Sequence, residues 1–244
     1  MTNKNHIIEA FTEMAPQYEQ VVDSELNRFW GWSYEGFINQ LFEKTPVSEK
    51  DTILDVATGT GTIPHRLERL GLHRNKIHGL DITLSMLKHA KRKLGENGIQ
   101  ENPNLVCASA MDMPYANSSF TRVMCGLATH HMQVTKMLSE SHRVLRRGGF
   151  LSIIDAGGSL SWNIPGVKFL LKLAAWIYFA LVENRSRAWA EASAVSNVYS
   201  REEWNALLAE IGFQAITINR LKSKFFWVPA PLSIRAEKKE KKDE

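Results

Sequence analysis

A chain of 244 residues with 44% hydrophobic and 23% charged side chains is long enough for one α/β domain with its own core, and its composition is ordinary for a soluble globular protein. The net charge of +4 is small and not gathered into a basic stripe, which argues against a nucleic-acid-binding arm. Two cysteines, Cys107 and Cys125, each inside an apolar run, exclude a disulfide framework and offer no Cys/His metal spacing, so no metal is expected and a reducing compartment fits.

The first residues, 1–13, lack the apolar core of a signal peptide, so a cytoplasmic address is expected, with peripheral contact at the inner membrane face as a reservation. Residues 1–46 read as two or three helices broken at Pro16 and Gly31, with Phe11, Tyr18, Phe29, Trp30 and Trp32 as apolar anchors. They form an expected N-terminal helical lid, in which Tyr18 and Trp30 are candidates for covering a substrate, although core packing is the commoner job of such aromatics. From Asp51 short apolar runs alternate with helical patterns, the signature of βαβ units and a parallel sheet. Strands are predicted at Thr52–Ala57, Lys76–Asp81, Asn104–Ser109, Arg122–Leu127 and Phe150–Asp155, and helices at Ile63–Leu70, Leu84–Leu94 and Gln133–Leu145. Gly148-Gly149 reads as a helix stop before the fifth strand.

Residues 160–199 form a second helical region, a cap on the substrate side. Within it, 167–182 is apolar but shorter than the roughly 20 residues needed to span a bilayer, with Lys168 and Lys172 one turn apart. A core helix is the expectation there, and a helix lying in the membrane interface the alternative. Arg201–Ile211 reads as a helix, followed by strands at Phe213–Leu221 and Lys224–Val228. The run Arg235–Glu244 mixes basic and acidic residues and reads as solvated, so 47–232 is taken as the main domain and 233–244 as a disordered tail.

The chemistry sits at the strand ends. In Ile53-Leu54-Asp55-Val56-Ala57-Thr58-Gly59-Thr60-Gly61 an apolar strand enters a glycine turn, and a helix opens near Pro64. Glycines let the backbone approach a ligand, and a helix N-terminus offers free N–H groups. Asp81 ends the next strand about twenty residues on, where a carboxylate accepts from ribose hydroxyls. No third glycine follows Gly61, which disfavours a dinucleotide site and an NAD-dependent oxidoreductase. After the third strand comes Ser109-Ala110-Met111-Asp112-Met113-Pro114, where Asp112 is placed to accept from an adenine amino group.

The order of these elements resembles the class I S-adenosylmethionine (SAM)-dependent methyltransferases, and within them the ubiquinone/menaquinone-biosynthesis C-methyltransferase (UbiE-like) branch. The likeness rests on Leu54–Gly61, on Asp81 followed by Ser85-Met86-Leu87, on Ala110–Pro114 and on Arg143–Gly149, and more loosely on Ala10–Glu19. It implies a doubly wound, Rossmann-like α/β fold: one seven-stranded sheet with an antiparallel last strand, N-terminal helices and a helical insertion after strand five. It implies SAM as cofactor, held by Asp55, Ala57, Thr58, Gly59, Gly61, Asp81, Ile82, Met86, Met111, Asp112, Met113 and Leu127. Two positions depart from the family pattern. Ala57 stands where the loop has its first glycine, a strand-end position expected to tolerate it, and Thr121 stands where an acidic residue usually follows Ser-Phe.

Methyl transfer from a sulfonium needs mainly alignment and exclusion of water. A base is required only when the acceptor must lose a proton, as a phenol or quinol does. His130 and His131, just past the fourth strand, are the candidate bases, with His131 also a substrate contact together with Tyr18 and Trp30. The expected activity is methylation, at carbon or oxygen, of a small quinone-like or other aromatic acceptor. The alternatives are a lipid or phospholipid N-methyltransferase at the membrane surface and a non-catalytic SAM-binding regulator. A nucleic-acid amino-methyltransferase would carry an Asn/Asp-Pro-Pro-Tyr/Phe element where Gly126-Leu127-Ala128-Thr129 stands, so no nucleic-acid partner is expected.

Overall fold

The computed structural model describes residues 3–44, 46–95, 103–226 and 228–239. Three helices lead in: α1 (Asn3–Met14), α2 (Tyr18–Trp30) and α3 (Tyr34–Lys44). The parallel units follow as β1 (Ile53–Val56), α4 (Thr62–Arg69), β2 (Ile77–Asp81), α5 (Leu84–Gly95), β3 (Asn104–Cys107), β4 (Phe120–Gly126), α6 (Val134–Val144) and β5 (Leu145–Asp155). Then come α7 (Val167–Val182), α8 (Arg185–Ala194), α9 (Arg201–Ile211), β6 (Phe213–Arg220) and β7 (Leu232–Lys238). The sheet order is β3-β2-β1-β4-β5-β7-β6, with β7 antiparallel to both its neighbours. Strand order reverses between β1 and β4, and the crevice beyond the carboxyl ends of those strands is where such sheets take ligands.

All four residues of β1 are buried, as a central parallel strand covered on both faces requires. Its side chains alternate between two cores. Ile53, with Met124 and Ile154, packs under α2 and α3 through Val22, Leu26, Phe37, Ile38 and Leu41. Leu54 and Val56, with Val123, Cys125 and Ile153, pack under α6 and α9 through Met137, Leu138, Trp204 and Leu208. The N-terminal region is therefore not a separate lid over its whole length. Phe37 is fully buried, and α2 and α3 form one of the two helical layers, leaving α1 and its joint to α2 as the covering part.

Several expectations are corrected. The last strand is not Lys224–Val228: there the N–H of Val228 donates to the carbonyl of Phe225 in a turn, and Trp227 lies outside the described residues. The pairing strand is β7, all but its first residue inside the segment 233–244 read as a disordered tail. Leu232, Ile234 and Ala236 alternate inward against β5, with Ile153 opposite Ile234. The charges that suggested solvation are held in place: the Arg235 guanidinium lies 4.0 Å over the Phe150 ring, and Lys238 Nζ donates to the carbonyls of His142 at 2.6 Å and Leu145 at 2.8 Å. Residues 240–244 of that tail lie outside the described residues.

Nor is the glycine pair a plain helix stop. The chain turns extended at Leu145, and 146–149 already belong to β5. A Cβ on Gly149 would sit 2.8 Å from the Thr121 carbonyl oxygen, so only glycine lets the two strands meet there. Thr121 itself ties β4 to the entry of β1, donating to Asp51 at 2.8 Å and accepting from the N–H of Thr52 at 3.0 Å. Finally, α7 is not a core helix: none of its sixteen residues is buried.

Candidate active site

The loop after β1 takes its shape from three residues in the left-handed region: Ala57 (φ +56°), Gly59 (φ +54°) and Gly61 (φ +81°). Gly61 has no alternative, because a Cβ there would lie 3.0 Å from the Cβ of Ala90 on α5. Ala57 corrects the expectation of an undemanding strand end. An L-residue in this conformation costs roughly 1–2 kcal/mol, a strain of the kind that concentrates at ligand sites. The N–H of Thr58 donates to the carbonyl of Leu80 at 2.9 Å and fixes the loop to β2.

Asp81 closes this half of the site. It is 7% exposed; its Oδ2 accepts from the N–H of Gly59 at 2.9 Å and its Oδ1 from the N–H of Thr83 at 2.8 Å. Burial pushes its carboxyl above the ordinary value, against the pull of those two N–H groups. Asp55 lies behind it, and burial, opposed by Thr58 and reinforced by Asp81, pushes its carboxyl up to about 8. Asp55 is 1% exposed and acts from beneath the loop, not on the cavity wall.

Ala57, Gly59, Asp81, Ile82, Met86, Met111 and Leu127 all line one cavity, together with Ser109, Ala110, Tyr18 and His131. The other expected cofactor contacts do not. Thr58 and Gly61 shape the loop from behind, and Met113 is buried in the core with its N–H on Glu140 at 2.7 Å. Asp112 is exposed: the turn after β3 faces Ala110 and Met111 inward and leaves the carboxylate in solvent. Trp30 is likewise off the cavity. It stacks on Phe37 at 6.5 Å and donates its indole N–H to the carbonyl of Pro229 at 2.9 Å, a packing role.

The far wall comes from the segment after β4, from Ile7 and Phe11 of α1 and from Asn197 just after α8, with β5 and α8 backing it. Leu127 is left-handed (φ +53°), with its N–H on the carbonyl of Ile154 at 2.7 Å, and it turns the chain toward the two histidines. These have different surroundings. His130 is off the cavity: its Nδ1 lies 2.6 Å from Oδ1 of Asp155, whose Oδ2 accepts from the N–H of Thr129 at 2.7 Å. Burial opposes charge on His130, but the adjacent Asp155 carboxylate holds its pKa above the ordinary value. His131 faces the cavity, its ring edge-on to Phe11 at 5.0 Å and its Nε2 3.4 Å from Oε1 of Glu191. Burial and the neighbouring His130 pull its pKa below the ordinary value, although Glu191 opposes them.

Behind Glu191 stands Arg187, 5% exposed, with a guanidinium nitrogen 3.2 Å from Glu191 and 3.0 Å from Glu25. Burial would raise the Glu191 pKa, yet Arg187 and His131 hold it far below the carboxylate range. Ligand atoms of His130, His131 and Glu191 all lie within 4.8 Å of one another, a metal-type grouping that sequence spacing did not show. Asp155 and Arg187 already supply these side chains with partners.

Sequence reasoning missed several of these groups. Asp155 ends a strand at the crevice edge and was open to the same argument that found Asp81. Glu191, Arg187 and Asn197, which lines the cavity, come from the helical insertion and carry no motif. Glu19 was also missed. Its Oε1 accepts from Thr60 at 2.6 Å, Thr62 at 3.0 Å and Lys93 at 2.6 Å, latching α2 to the glycine loop and to α5.

The residues present fit SAM. Asp81 stands at the strand end where ribose hydroxyls are accepted, Gly59 lets the backbone border the cavity, and Ile82, Met86 and Met111 give an apolar seat for a base. Comparison with known proteins agrees. Residues 54–153 match the family model described as a methyltransferase domain. The chain is 32% identical over 154 residues to the ubiquinone/menaquinone biosynthesis C-methyltransferase UbiE of Rhizobium meliloti, a match covering 60% of this chain and 57% of that protein. It is 25% identical over 233 residues to the demethylmenaquinone methyltransferase of Lactobacillus johnsonii, covering 91% of each. The crystal structure of geranyl diphosphate C-methyltransferase from Streptomyces coelicolor superposes with a TM-score of 0.65 at 17% identity, covering 91% of this chain and 81% of that one, a likeness of fold. With the glycine loop, Asp81 and the seven-stranded sheet in place, the chain is similar to the class I SAM-dependent methyltransferases, the family match spanning residues 54–153.

Proposed function

We propose that this domain methylates a small quinone-like or other aromatic acceptor, at carbon or oxygen, with the acceptor seated between the SAM-binding loop and His131. When bound, SAM supplies an electrophilic methyl group on a sulfonium whose leaving thioether is neutral. One observation carries the reading: a single cavity is lined by Gly59, Asp81 and Met111 on one side and by Leu127, His131 and Phe11 on the other. The names of the two sequence relatives support an acceptor of this class. Cytoplasmic location and peripheral membrane contact through residues 167–182 are part of the same proposal; among the described residues no helix is long and apolar enough to cross a membrane.

In this reading Tyr18, Phe11 and Leu127 exclude water and hold the ring, and His131 takes the hydroxyl proton of a phenol or quinol. His131 is suited to that task because it is neutral, whereas His130 is committed to Asp155. Glu191 orients the imidazole through Nε2. A base held neutral by burial loses activity only when pH falls through its own pKa, which lies below the ordinary value of about 6.5. With 1,4-naphthoquinol as acceptor, kcat is therefore expected to show an acidic limb below that pH. His131→Gln is expected to lower kcat by about 10²–10⁴-fold and abolish the limb while SAM binding persists. A His131→Gln enzyme with unchanged kcat and pH profile removes His131 as the base and leaves alignment as the only catalytic device.

A further inference from the structure

We propose that the outer face of α7, with Ile164 before it and Trp189 beside it on α8, docks on the headgroup region of an anionic lipid bilayer. This surface rests on the peripheral-contact reading of residues 167–182 and not on the chemistry at His131. A helix apolar around its whole circumference is normally packed on all sides. Here only one side is: Val167, Leu171, Ala175 and Tyr178 are half-buried toward the body of the protein. The opposite stripe faces outward at helical spacing, with Phe169 68%, Leu170 63%, Leu173 46%, Ile177 45% and Leu181 83% exposed. Ile164 and Trp189, 58% and 51% exposed, extend the apolar surface beyond the helix. Contiguous patches of this kind are rare on soluble monomers and mark a partner surface.

Charge selects the partner. Between Ser159 and Val182 the chain has Lys168 and Lys172 and no acidic residue. Glu183, which ends the helix, is turned toward Arg187 at 3.7 Å. Lysine ammonium groups on long stems beside an apolar stripe suit a surface that is greasy within and negatively charged at its rim. Exposed tryptophan belongs at the same headgroup level. Sixteen residues make a helix of roughly 24 Å, too short to span the hydrocarbon but suited to lying flat in the interface. α8, which packs against both α7 and α1, carries Glu191 to the site, so the docked face belongs to the helical layer that borders the cavity.

Flotation of the full chain with phosphatidylcholine vesicles and with phosphatidylcholine–phosphatidylglycerol vesicles tests the surface. The protein is expected to float with the anionic vesicles and much less with the neutral ones. Leu173→Asp with Leu181→Asp is expected to lower partitioning at least about tenfold. Lys168→Gln with Lys172→Gln is expected to lower it on the order of tenfold on anionic vesicles only. Leu173 and Leu181 are exposed, Lys168 and Lys172 half-buried, and unaltered SAM binding by calorimetry verifies the folding of both variants. A wild-type chain that stays in solution with both vesicles overturns the proposal. So does a wild-type dimer in sedimentation velocity that the double Asp variant splits, with no flotation, since a second copy then covers the face. Turnover of 1,4-naphthoquinol without vesicles is scored separately, so that failure of docking and failure of the acceptor reading are told apart.

Discussion

Asp81 is the residue on which the proposed cofactor half of the site turns, because one carboxylate both fixes the glycine loop through the N–H of Gly59 and faces the cavity. Charged hydrogen bonds of this kind contribute roughly 1.5–3 kcal/mol each. Asp81→Ala is accordingly expected to weaken SAM binding by about ten- to a hundredfold in calorimetry, and an unchanged affinity in a folded variant refutes the assignment. At this scale the sequence was informative where a residue's role follows from backbone position. Gly59, Asp81 and Met111 are fixed by the loop and strand ends that carry them, and all three line the cavity. Asp112 failed because a turn places adjacent side chains on opposite sides, and which side faces the ligand is decided by packing after β3. The two histidines could not be told apart before their partners were known: Asp155 lies 25 residues from His130 in sequence, and Glu191 comes from the distant insertion.

Among the elements, α9 shows how much local sequence determines. Arg201–Ile211 was expected as a helix and forms with those bounds, opened by a capping box in which Ser200 accepts from the N–H of Glu203 and Glu203 from the N–H of Ser200. Gly212, left-handed at φ +102°, ends it. Ser200 is 2% exposed, so its hydroxyl has no ready substitute in water. Ser200→Ala is expected to cost about 1 kcal/mol and lower Tm by about 2–4 °C in calorimetric unfolding. A Tm within error of wild type would mean that the cap contributes nothing to stability. β7 is the opposite case. Leu232–Lys238 reads as a charge run from Arg235 onward, while Phe225, Phe226 and Val228 read as strand. Only the exposed edge of β5 and the amphipathic β6 make 232–238 the segment that fits, since its inward residues are small or aliphatic and its basic residues reach Phe150 and the end of α6.

At the level of the whole molecule, the parallel half of the sheet was legible because β1 and the centre of β4 are continuous buried apolar runs and helices follow β1, β2 and β4 at short spacing. The placement of the flanking helices was not. The N-terminal region reads as a lid from its aromatics, yet Phe37, Ile38 and Leu41 make α3 part of the core, and Glu19 latches α2 to the glycine loop. The apolar character of 167–182 reads first as a core helix and only second as an interfacial one, and the structure leaves its outer stripe exposed. What unites these parts is a site assembled from the sheet edge below and the helices above, with the proposed SAM-binding wall and a histidine wall facing one cavity. The most direct test is to incubate the purified chain with methyl-labelled SAM and 1,4-naphthoquinol under reducing conditions and to locate the label by mass spectrometry. The account predicts one labelled methyl on the naphthoquinol ring or its oxygen, formed in step with S-adenosylhomocysteine. SAM bound tightly with no label reaching this acceptor, in an otherwise folded enzyme, would contradict it.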